Sequence, residues 1–216
     1  MFIGHFGVGF GAKKIIPKPS LATIFLASQF IDLLWPILLL LGIEQVLIDP
    51  GNTVVTPLNF INYPFSHSLI GVMIWAVLFA SIYFTLKKDL KVSIWLGVLI
   101  CSHWILDLIT HRPDLPLLFN NENMVGLGLW NSLIGTILIE GAIFAVGIYF
   151  YMKVTTSKNR TGTVALWALI GFLVIIYISN LFGPPPPSEE PIGLIGLSQW
   201  LLIAWAYWID KNRKVV

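Results

Sequence analysis

The sequence predicts an all-α, polytopic membrane bundle of about six transmembrane helices, with a short N-terminal interfacial or re-entrant segment. Three observations predict it. Apolar residues make up 56% of the 216 positions and charged residues 11%, where a soluble domain carries about 25% charged residues. The apolar residues gather in stretches close to the roughly 20 residues that cross a bilayer. The basic residues alternate between loops: Lys13, Lys14 and Lys18, then Lys87, Lys88 and Lys91, then Lys153, Lys158 and Arg160, then Lys211, Arg213 and Lys214. Arg112 is the sole cation of the other loops, which carry Glu44, Asp49, Asp114, Glu122, Glu189 and Glu190. A single integral membrane domain over 1–216 is expected.

Taken in order, Met1 to Gly11 has no basic start and only a short apolar stretch broken by glycine, so it does not resemble a cleaved signal peptide, and Phe2 to Phe10 is too short to span. It lies at the interface, or dips inward where other helices cover its polar groups. The first span is expected over 20–44, with Asp32 inside it and a kink at Pro36. The second runs over 66–86 and the third over 92–110. Pro113 disfavours the α conformation at Arg112, which ends the third helix near His111. The fourth covers 127–152 and contains Glu140, the fifth 161–182, and the sixth 193–209. The prolines at 184–187 form a stiff spacer. The single cysteine, Cys101, rules out an internal disulfide. The positive-inside rule then places both termini in the cytoplasm. Basic residues scattered in threes along such loops argue against a nucleic-acid partner.

Polar residues interrupt this apolar background. Asp32, Asp107 and Glu140 fall inside spans that contain no Lys or Arg. An aspartate at a helix centre costs about 2.5–3.5 kcal/mol on insertion scales. Such acids must be protonated, paired with histidine or bound to metal. All four histidines, His5, His67, His103 and His111, lie near them along the topology. His103, Asp107 and His111 recur every four residues, on one loosely shared helix face with a rise of roughly 6 Å per step. A straight helix sets His103 and His111 roughly 12 Å apart, so either the helix end curls back or two ions are present. Read one at a time, each residue has a plainer role: a protonated acid bonded to a neighbouring helix, or an interfacial histidine. The coincidence of all of them in the outer half of the bundle favours a buried metal site. Zinc suits an imidazole-rich donor set, and manganese or iron accept the same mixture.

Four short motifs carry a resemblance. Gly4-His5, the acid of Gln29-Phe30-Ile31-Asp32, Ser66-His67-Ser68-Leu69, and Ser102-His103-Trp104-Ile105-Leu106-Asp107 occur in this order. They resemble the YdjM-like family of membrane-bound metal-dependent hydrolases, whose pattern is GH, PDID, THS and SHxxxD, over about residues 4–116. The chain departs from it where Phe30 and Ile31 replace the proline and first aspartate, and where Ser66 replaces threonine. A remoter similarity is to the zinc-dependent phospholipase C family. His103 and Asp107 match its HxxxD helix and Glu140 its later acid, while Thr136 stands where that helix carries histidine.

The resemblance implies a hydrolase of the bacterial inner membrane that acts on a lipid or lipid-linked phosphoester or ester through a metal-activated water. In that reading His5, His67, His103, Asp107 and His111 supply metal ligands. Asp32 or Glu140 acts as general base, and Arg112 holds an anionic group of the substrate. The rival expectation is a small transporter or proton-coupled permease using the same cluster. The absence of inverted repeats counts against it, and a homo-oligomer would compensate for the few spans. A third is a membrane scaffold with a structural metal.

Overall fold

The structure, a computed structural model, describes residues 1–120 and 122–216. It is an all-α membrane bundle. Five stretches are long and apolar enough to cross a membrane: α5 (Leu69–Lys87), α6 (Leu90–Thr110), α7 (Leu133–Val154), α8 (Arg160–Phe182), and Glu189–Asn212, which comprises α9 (Glu189–Leu197) and α10 (Gln199–Asn212). The bent pair α2 (Leu21–Ser28) and α3 (Phe30–Leu40) makes a sixth if the two are taken as one broken span. In front of them lies the short helix α1 (Ile3–Ala12). A fourth short helix, α4 (Pro64–His67), precedes α5. Among the described residues the sheets are three antiparallel two-stranded ribbons. They pair β1 (Gln45–Ile48) with β2 (Leu58–Asn62), β3 (Leu115–Pro116) with β4 (Met124–Val125), and β5 (Thr155–Ser157) with β6 (Arg213–Val215).

Side-chain caps start the long helices where the chain enters them. Ser68, Asp89, Ser132 and Asn159 each accept a backbone N–H three residues on, which satisfies a donor the first turn leaves free. The apolar span of α6 is 50% buried, against 17% for α5. An apolar helix buried by half its residues is enclosed by its neighbours, so α6 is the inner helix and α5 faces outward.

The first span departs from the expected single kinked helix. It breaks at Gln29, and the two halves meet at 58°. Pro36 sits inside α3. A proline has no N–H for the carbonyl four residues back, which here belongs to Asp32. That carbonyl is met by the Gln199 side-chain amide at 3.4 Å. α3 also ends at Leu40, so Glu44 leaves the helix and turns into the protein, where it is buried.

α1 settles the expectation for the N-terminal segment: it lies inside the bundle, with eight of its residues buried. Glycines let it come close to α7. A Cβ built on Gly147 would lie 2.0 Å from the Gly7 carbonyl oxygen, and one on Gly7 would lie 2.7 Å from the backbone of Phe144. Glu140 closes its N-terminal end, where Oε2 accepts the backbone N–H of Phe2 at 2.9 Å and of Gly4 at 3.4 Å. This carboxylate therefore meets orphan donors of the first turn.

Candidate metal centre

The site is assembled from four stretches far apart in sequence. α6 brings His103 and Asp107, one turn apart on its buried face. α1 brings His5 and α4 brings His67, while Asp32 lies in the first turn of α3. Asp107 divides its carboxylate between two sides. Oδ1 lies 3.1 Å from His5 Nε2, and Oδ2 lies 3.2 Å from His103 Nε2 and 3.9 Å from His67 Nε2. Asp32 Oδ1 lies 3.5 Å from His103 Nε2 and 3.6 Å from His67 Nε2. The His5 and His103 rings stack face to face with centroids 3.6 Å apart. The backbone nitrogen of Met1 is 2.6 Å from Asp107 Oδ1.

These distances suit a metal. Donors held about 2.0–2.2 Å from a tetrahedral ion stand roughly 3.3–3.6 Å from one another. Two overlapping triads satisfy a common radius, His5 with His103 and Asp107, and Asp32 with His67 and His103, with all ligand atoms of each within 4.8 Å. His103 belongs to both. Its Nε2 is buried without a hydrogen-bond partner among the described residues, and a buried polar atom left so is costly. Two carboxylates and three imidazoles converge there, and among the described residues the Met1 amino group, on Asp107, is the one non-histidine cation ion-paired with them. The donor set fits a divalent ion.

Second contacts fix how the imidazoles face. His103 Nδ1 is 2.9 Å from the Ser28 carbonyl oxygen. Ser28 is the last residue of α2, so the break at Gln29 frees that carbonyl to accept. An Nδ1–H donated there leaves the Nε2 lone pair facing the centre, a common arrangement around bound metals. His67 Nδ1 is 2.7 Å from Ser66 Oγ, and Ser66 donates onward to Glu44 Oε2 at 2.6 Å.

The remaining expected residues stand elsewhere. His111, expected as a ligand, follows the last residue of α6 in extended conformation and joins neither triad. The helix end does not curl back. Its Nδ1 instead lies 2.9 Å from Asp114 Oδ1 and 3.3 Å from the Tyr63 hydroxyl, with the ring against Trp130. Burial pulls the His111 imidazole below its ordinary pKa, opposed by Asp114. Arg112 donates to Asp114 at 3.0 Å and to Asn59 at 2.6 Å. Glu140 faces the backbone of α1 rather than the histidines. Sequence reasoning missed Glu44 and Ser28 as parts of the site, and marked Ser66 only as a member of the motif around His67. Glu44 reads as a loop acid, and Ser28 contributes only a carbonyl, which no sequence pattern marks.

Comparison with known protein families, curated proteins and solved structures yields no match.

Proposed function

We propose that this protein is a membrane-embedded metal-dependent hydrolase of the YdjM-like kind, acting on a lipid or lipid-linked ester or phosphoester. The observation that carries the reading is the buried pair of His/Asp triads sharing His103, drawn from four segments of an otherwise apolar bundle. A divalent ion bound there, zinc by donor type, would polarise a phosphoryl or acyl oxygen and acidify a water. His67, His103, Asp107 and His5 hold it. Asp32 is the most open member, its side chain 23% exposed against 5% or less for the others, and it takes the proton of the attacking water. Glu140 positions α1, and through it His5, instead of acting as base. Arg112, its side chain 35% exposed, binds an anionic group of the substrate.

Location supports a lipid substrate. An apolar groove lined by Leu69, Ile70, Met73, Leu117 and Leu118 begins two residues after His67 and suits an acyl chain. The proposed orientation keeps both termini in the cytoplasm of a bacterial inner membrane. Its support is the gathering of basic loops at one end, where Lys18 pairs with Asp89 at 2.7 Å and β5 pairs with β6. The metal-loaded, purified full chain is expected to release product from lipid ester or phosphoester substrates, and His103→Ala to release none. Cation uptake into proteoliposomes without any hydrolysis would assign the cluster to transport instead.

A further inference from the structure

A chain of three side chains leads away from the centre behind His67. Glu44 Oε1 accepts the Ser66 backbone N–H at 2.8 Å, and Oε2 accepts the Ser66 hydroxyl at 2.6 Å. Ser66 Oγ then lies 2.7 Å from His67 Nδ1. Glu44, Ser66 and His67 are all buried. As a carboxylate Glu44 only accepts hydrogen bonds. The hydroxyl proton is therefore spent on Glu44, and Ser66 Oγ has only lone pairs left for His67. The imidazole must supply the proton, from Nδ1. In the neutral ring its Nε2, 3.6 Å from Asp32 Oδ1 and 3.9 Å from Asp107 Oδ2, is then a bare lone pair aimed into the cluster.

We propose that Glu44, acting through Ser66, is a positioning residue that fixes His67 in the Nδ1–H tautomer and so makes its Nε2 a metal ligand. The inference rests on the metal-site reading for its consequence, but not for its geometry. It explains why a carboxylate with no ion pair among the described residues is kept under the site, and why the residue before His67 carries a hydroxyl.

A nearly isosteric change reverses the polarity of the chain. In Glu44→Gln the Ser66 N–H still requires an oxygen at the Oε1 position. The new amide nitrogen must then face Ser66 Oγ and donate to it. The hydroxyl turns and donates to His67 Nδ1, which pushes the ring proton to Nε2. A protonated Nε2 cannot ligate.

The test is nitrogen-15 NMR of the metal-free, full-length protein with labelled histidine, His67 being assigned by its loss in His67→Gln. The wild type and Ser66→Thr are expected to show the Nδ1–H form at His67, and Glu44→Gln the Nε2–H form. Zinc titration of the same samples should show Glu44→Gln weakened by roughly ten- to a hundredfold, the range for contacts behind a ligand, with Ser66→Thr near wild type. An Nε2–H tautomer in the wild type overturns the proposal whether or not the variants fold. An unchanged tautomer in a folded Glu44→Gln overturns it as well. If the wild type binds no zinc, the metal-site reading fails, while the tautomer measurement still decides the role of Glu44.

Discussion

His103 and His111 share a helix face on paper, eight residues apart, yet they do different work. His103 points its free nitrogen at Asp32 and Asp107, whereas His111 has spent its Nδ1 on Asp114 and Tyr63. Removing them should therefore have opposite results. His103→Ala takes a donor from both triads and is expected to abolish stoichiometric metal binding. His111→Ala should leave metal content at the wild-type value while lowering thermal stability, because it opens a cavity beneath Trp130 and Phe60. Elemental analysis and a melting curve on the same samples check both. The HxxxD spacing of His103 and Asp107 was legible in the sequence because i and i+4 on a helix face one way. The role of His111 was not, because one residue past the helix end its direction depends on the turn that Pro113 imposes.

Short elements, rather than the long spans, decide where the ligands meet. α1 delivers His5 only because Gly7 and Gly147 let two backbones touch. Gly147→Ala places a methyl group against the Gly7 carbonyl and should displace α1, costing about 1–3 kcal/mol of stability as overpacking does. Metal affinity is expected to fall too, although neither glycine touches a ligand. Isothermal titration with zinc checks this, and unchanged affinity would mean that His5 is dispensable. The long helices α5 to α8 were readable from length and hydropathy, to within a few residues at most ends. Two features were not. The break at Gln29 has no proline or glycine to announce it, and the proline that is present, Pro36, is absorbed because Gln199 from α10 satisfies the carbonyl it releases. Both depend on contacts between distant segments, which local patterns do not encode.

For the molecule as a whole, the charges and the site divide the bundle between them. Basic residues collect where β5, β6 and the loop before α6 meet, and the His/Asp cluster lies away from them, at the α2–α3 break and the C-terminal turns of α6. In a Cys101→Ser background, Lys87→Cys should react with an impermeant thiol reagent only from the cytoplasmic face, and Leu127→Cys, highly exposed beyond α6, only from the opposite face. The reverse pattern would invert the orientation and place the site toward the cytoplasm. The basic alternation was legible because it is written in single residues. The convergence of His5, Asp32, His67, His103 and Asp107 was legible only as a possibility of depth, since lateral placement comes from packing. The measurement that bears most directly on the account is metal analysis of the purified, detergent-solubilised full chain, wild type beside His103→Ala. One or more equivalents of zinc, manganese or iron in the wild type, lost in the variant, is the result predicted. No metal in either protein, even after supplementation, would contradict the metal centre and leave the buried histidines and acids to a proton-relay role.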